Sequence, residues 1–198
     1  MNKKMHFEKK DFFSIPNILT YIRIILVPIF VVVYINASNL SGHIWSIVIV
    51  AVSALTDLLD GFIARRFNMI TDWGKIVDPI ADKAMQFAML FCVVFKYHWV
   101  ALLLVIYGVK EIVSLAFSGF LFTKGKHIGG AMWCGKICTV ILYAVMLVFI
   151  ALPDIDAHVV TILIGFAAAF MLLAFVVYME AYFRLYREYK KQKKEEEK

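Results

Sequence analysis

Between Thr56 and Lys83 the chain sets four aspartates into otherwise apolar sequence. The stretch reads Thr56-Asp57-Leu58-Leu59-Asp60-Gly61-Phe62-Ile63-Ala64-Arg65, and then Gly74-Lys75-Ile76-Val77-Asp78-Pro79-Ile80-Ala81-Asp82-Lys83. A helix advances about 100° per residue, so Asp57, Asp60, Gly61 and Ala64 share one face of a first helix. Gly74, Asp78 and Asp82 share one face of a second. The connection from Arg66 to Trp73 is short enough to lay the two helices side by side, antiparallel, with their acidic faces opposed. A cage of four carboxylates is the expected result.

Clustered carboxylates repel one another unless a cation lies between them. Oxygen-only donors favour hard divalent ions, Mg²⁺ or Mn²⁺, over zinc or copper. Two facing helices have room for two such ions sharing ligands, an arrangement that clamps a phosphoryl group while it is displaced. Arg65, at the end of its helix, suits a bidentate grip on phosphate, and the small Gly61 and Ala64 let a nucleotide or lipid headgroup approach the backbone closely. Two other readings use the same residues. Acids near a helix end can simply be interfacial, with small residues packing helix on helix, and intramembrane carboxylates also mark the pathway of an ion-coupled transporter.

The elements that must position these groups are apolar helices. Of 198 residues, 62% are hydrophobic, well above the roughly 45–50% of soluble domains, which excludes an ordinary water-soluble protein. Six segments approach the ~20 residues needed to cross a bilayer, at about Ile18–Ile35, Ile44–Ala64, Gly74–Phe95, Trp99–Phe122, Ala131–Leu152 and His158–Phe183. The expected fold is therefore all-α, with six transmembrane helices over residues 18–183. Residues 1–17 form an interfacial segment with a short amphipathic helix, in which Phe7, Phe12 and Phe13 alternate with Lys9 and Lys10. Residues 184–198 form a charged tail.

Lysine and arginine are distributed one-sidedly: Lys3, Lys4, Lys9, Lys10, Arg65, Arg66, Lys75, Lys124, Lys126, Lys136, Arg184 and Arg187 fall on one side, Lys96 on the other. By the positive-inside rule both termini and the acidic cluster face the cytoplasm. The net charge of +6 is explained by topology and by attraction to anionic membrane lipids, and the chain holds no nucleic-acid recognition module. Cys92, Cys134 and Cys138 lie in apolar segments and read as small packing residues.

Asp57-x2-Asp60-Gly61-x2-Ala64-Arg65-x8-Gly74-x3-Asp78-x3-Asp82 resembles, at every position, the signature of the CDP-alcohol phosphotransferase family. That resemblance implies a dinuclear metal centre on Asp57, Asp60, Asp78 and Asp82, with Asp82 also the general base, and contacts from Gly61, Ala64, Arg65 and Gly74 to the CDP moiety. It implies a homodimer in the bacterial cytoplasmic membrane that moves a phosphatidyl group from CDP-diacylglycerol to an alcohol and releases CMP.

Within the family, Ile15-Pro16-Asn17-x2-Thr20-x2-Arg23 resembles the opening of bacterial phosphatidylglycerophosphate synthases. Asn17 and Thr20 then line the nucleotide site, or else cap the first helix. Lys110-Glu111 resembles an Arg-Glu pair of those synthases, and Gly135-Lys136-x2-Thr139 a Gly-Lys-x-Lys-Thr segment. Ser118 stands where they tend to carry a further arginine. Lys110, Lys136 and Thr139 are candidates for binding an anionic acceptor, though Lys110 can equally form a neutral pair with Glu111. Glycerol 3-phosphate is the first acceptor to expect. Phosphatidylglycerol, as in a cardiolipin synthase, comes next, and inositol phosphate or serine after it.

Overall fold

A computed structural model describes residues 12–69, 71, 73–123, 132–152 and 154–196. They form six helices: α1 (Ile15–Ile35), α2 (Leu40–Arg66), α3 (Gly74–Val94), α4 (Val100–Thr123), α5 (Met132–Ala151) and α6 (Ala157–Glu196), with no strand among the described residues. Each overlaps one expected apolar segment, and the all-α expectation holds. The expected interfacial helix falls outside the described residues except at its end, where Phe12 packs on Trp73 with ring centroids 4.7 Å apart. Lys124 and Lys126 also lie outside them.

The helices of the acidic region are built inside out. The buried stripe of α1 includes Asn17, Thr20 and Arg23, and that of α2 includes His43, Ser46, Ser53, Thr56 and Asp60. Their exposed faces carry Ile22, Ile25, Ile29, Trp45, Leu58 and Phe62. In water an amphipathic helix buries its apolar stripe. Here the polar groups turn inward and large apolar side chains outward, which is stable only where the outer medium is itself apolar. The protein is an integral membrane protein.

Four helical stretches have the length and composition to cross a membrane: Ile15–Ile35, Leu40–Arg66, Val100–Phe117 and Ala157–Arg187. That is fewer than the six expected. The charges of α3 explain its exclusion, since Lys75, Asp78, Asp82 and Lys83 fall within its first ten residues. In α5 the apolar part among the described residues is only Ile137–Ala151.

Local chemistry sets the helix ends. Pro16 sits in the first turn of α1, where a missing N–H costs nothing. Asn39 caps α2 by accepting from Gly42 N–H at 3.0 Å. At the other end of α2, Asn68 takes the left-handed conformation (φ 51°) and Met69 N–H donates to the Ala64 carbonyl at 2.9 Å. This is a Schellman-type stop, for which asparagine is one of the few tolerant side chains. The chain thus turns back towards α3 just beyond Arg65 and Arg66.

The chain divides into two units. The first runs through Lys96 and includes Met146–Asp154; the second comprises Tyr97–Val145 and the residues from Ile155 onward. Within the first unit α1 packs against both α2 and α3. Arg23 of α1 bridges the two acidic helices, with Asp57 of α2 and Asp82 of α3 on the same guanidinium nitrogen. Within the second unit α4 packs on α6. Phe117 stacks on Tyr182 with centroids 5.3 Å apart, and Tyr182 O–H donates to the Ser114 carbonyl at 3.2 Å. The helix of α6 continues unbroken through Arg184 to Glu196.

Gly42, in the first turn of α2, packs closely on the preceding chain. A β-carbon there would stand 2.7 Å from Ala37 Cα, a backbone atom that cannot step aside. Gly42→Ala should lower the thermal midpoint of the detergent-solubilised protein, with a destabilisation of about 1–3 kcal/mol from overpacking. Gly165→Ala should not, because nothing lies within 4 Å of its added methyl.

Candidate active site

Asn17, Thr20 and Arg23 recur every third residue, so they occupy one arc of α1 and point the same way. Arg23 is only 1% exposed. A guanidinium buried this deeply requires charged partners. Its Nη1 lies 2.9 Å from Asp57 Oδ1 and 2.7 Å from Asp82 Oδ1, and its Nη2 pairs with Asp60 Oδ2. Thr20 Oγ1 donates to Asp78 Oδ1 at 2.5 Å and stands 3.4 Å from Asp60 Oδ2. All four signature aspartates therefore belong to one network across α1, α2 and α3.

The aspartates are not equivalent. The Asp60 side chain is 5% exposed, whereas those of Asp57 and Asp82 are 43% and 39% exposed. Asp60 is locked between Arg23 and Thr20; Asp57 and Asp82 each keep an open face. Among the described residues no three carboxylates converge on a point between themselves as a coordination shell. Three of them converge on Arg23 instead. The sequence motif contains Arg23, yet residue type and spacing do not single it out as a site residue. The available signal is a single arginine in an apolar span, in helical phase with Asn17 and Thr20.

A second cluster fixes the start of α3. Thr71 Oγ1 accepts from Gly74 N–H at 3.0 Å and from Asn17 Nδ2 at 3.1 Å. Trp73 Nε1 donates to Tyr21 O–H at 2.7 Å. Both contacts tie the entry of α3 to α1. A β-carbon on Gly74 would stand 2.6 Å from Asn17 Oδ1, so any side chain here pushes the Asn17 amide aside. Thr71 and Tyr21 carry no pattern in the sequence that singles them out. On α2, the Arg65 guanidinium folds back over Gly61: its Nη2 would lie 3.6 Å from a β-carbon built there, and Arg65 itself is exposed. Ala64 lies half-buried one turn along.

The candidate acceptor residues belong to the second unit. Lys110 and Glu111 are paired at 2.6 Å, with the ammonium 5.7 Å from the Tyr107 ring centroid, so this lysine is held in a buried ion pair. Thr139 Oγ1 donates to the Gly135 carbonyl of its own helix at 3.0 Å. The side chains of Lys136 and Ser118 lie outside the described residues. Cys92 and Cys138 are buried and unbonded.

The donor set suits a hard divalent ion. Asp57 and Asp82 offer carboxylate oxygens from two helices, partly open, around a point already occupied by positive charge. Arg23 Nη1 occupies the point between these two carboxylates.

Residues 13–180 match the family described as CDP-alcohol phosphatidyltransferase. Proteins named CDP-diacylglycerol–glycerol-3-phosphate 3-phosphatidyltransferase from Shigella flexneri serotype 5b and Salmonella typhimurium are 34% identical over 164 residues, and the one from Escherichia coli K12 is 33% identical over the same length. Each alignment covers 81% of this chain and 90% of the relative. Most of the chain, including every residue of the acidic network, lies within the matched region. By that match the chain belongs to the CDP-alcohol phosphatidyltransferase family.

Proposed function

We propose that the protein transfers the phosphatidyl group of CDP-diacylglycerol to glycerol 3-phosphate, forming phosphatidylglycerophosphate and releasing CMP. The observation that carries this reading is the near-full-length similarity to synthases of that name, in a chain whose signature aspartates are drawn into one network.

Asp57, Asp60, Asp78 and Asp82 would hold Mg²⁺ or Mn²⁺. Held there, such an ion would supply positive charge to the pyrophosphate oxygens and to the leaving CMP. Asp82, partly open, takes the proton from the acceptor hydroxyl. The hydroxyl oxygen attacks the lipid-side phosphorus, the bond from that phosphorus to the bridging oxygen breaks, and CMP leaves with the electron pair. Gly61, Ala64, Gly74, Asn17 and Thr20 line the nucleotide site, and Arg65 grips phosphate. Lys110, Lys136 and Thr139 are assigned to the acceptor on the resemblance alone.

The same reading takes all six helices as membrane spans, with α3 crossing because its charges are mutually compensated. Both termini and the site face the cytoplasm of a bacterium, as the lysine and arginine distribution supports. The protein acts as a homodimer.

Purified protein supplied with CDP-diacylglycerol and Mg²⁺ or Mn²⁺ should release CMP with glycerol 3-phosphate. Phosphatidylglycerol, inositol phosphate or serine should not substitute; release with one of these instead would remove the proposed acceptor. Asp82→Asn should lower the rate by about 10²–10⁴-fold, the usual worth of a general base. Wild-type turnover in that variant would refute the assignment. Gly74→Ala, which displaces the Asn17 amide, should leave the protein folded by size-exclusion chromatography but reduce kcat/KM for CDP-diacylglycerol, by up to about 100-fold.

A further inference from the structure

In the reaction as proposed, Arg23 neither grips the nucleotide nor moves a proton, yet it is among the most deeply buried charges of the described chain. Its two terminal nitrogens have different partners. Nη2 pairs with Asp60, which is almost as buried as Arg23 itself. Nη1 bridges Asp57 and Asp82, which belong to different helices and are partly open. Arg23 Nε is buried with no acceptor among the described residues, so the carboxylates alone orient the guanidinium.

We propose that Arg23 is an internal counter-cation of the active site: its Nη1 holds Asp57 and Asp82 together while no divalent ion is bound and gives them up when one is, with Nη2 remaining on Asp60. The inference rests on the reading of these aspartates as metal ligands. Its physical basis is repulsion. Carboxylates gathered from α2 and α3 onto one nitrogen would repel one another without a cation between them. Arg23 supplies that cation from α1 and keeps the ligands close together before loading. It also competes with the ion it substitutes for, so it sets the metal affinity lower than the carboxylates alone would give.

The test uses the full-length protein in detergent, with Mn²⁺ binding followed by electron paramagnetic resonance and thermal unfolding measured in EDTA and in Mn²⁺. Arg23→Gln should unfold at lower temperature than wild type in EDTA, gain more from Mn²⁺ than wild type does, and bind Mn²⁺ about tenfold or more tightly, within the usual range of site-to-site coupling. Arg23→Lys, which keeps the charge but cannot bridge two carboxylates while holding a third, should fall between them. Should Arg23→Gln fail to fold, the charge-balanced pair Arg23→Gln/Asp60→Asn supplies the comparison. It should bind Mn²⁺ more tightly than Asp60→Asn alone. Unchanged or weaker Mn²⁺ binding on removal of Arg23 overturns the exchange and leaves the metal reading intact. Wild-type protein that binds no Mn²⁺ overturns the metal reading, and Arg23 is then a structural ion pair only.

Discussion

A guanidinium in an apolar helix and carboxylates in its neighbours are each unfavourable alone, by about 2.5–3.5 kcal/mol per group near a span centre. Together they offset one another, and the contact of Arg23 with Asp57, Asp60 and Asp82 is where this happens. The arrangement of the first unit follows from it. Lipid and protein interior are both apolar, so hydrophobicity does not decide which way a membrane helix faces. Polar groups do. Rotating α1 by one residue, about 100°, would carry Arg23 out of reach of its carboxylates and leave four charges unpaired. The arc of Asn17, Thr20 and Arg23 thereby sets the orientation of α1, and α1 in turn sets the spacing of α2 and α3.

From the same constraint comes a division of labour among chemically identical side chains. Asp60, enclosed by Arg23 and Thr20, is placed as an anchor, whereas Asp57 and Asp82 look outward from the network. Asp78 is held by a neutral hydroxyl instead of a cation. The signature aspartates thus sit on helices and are supported by buried hydrogen bonds and ion pairs, with Asp57 and Asp82 keeping one open side. The Thr71 hydroxyl extends this support to the start of α3, joining the Gly74 backbone to the Asn17 side chain. A loop residue absent from the signature therefore helps to place two residues expected at the nucleotide.

Much of this is legible in the sequence. Apolar segment lengths locate all six helices to within a few residues at most ends, because a ~20-residue run with few charges has few alternatives to a helix in lipid. The spacing of Asp57 with Asp60 and of Asp78 with Asp82 places each pair on one helix face, since that periodicity belongs to a single chain segment. Hydropathy is less informative where the apolar run gives out. It ends the sixth helix near Phe183, but Lys- and Arg-rich sequence forms helix readily and α6 runs on to Glu196.

What the sequence by itself determined was the set of helices, the inward polar faces and the four aspartates that the fold draws into one network, all of which follow from local periodicity and from the energetics of charge in an apolar medium. Only the tertiary structure decided which element lies against the acidic helices, and so that the counter-charge is Arg23 from α1 and not Arg65 from the end of α2. The same holds for Lys110: its residue type fits either an acceptor phosphate or the neighbouring carboxylate, and the fold sets its ammonium against Glu111. The reason is common to both: a charge can be paired by any opposite charge within reach, and reach is a property of packing in three dimensions, which residue spacing along one helix does not encode.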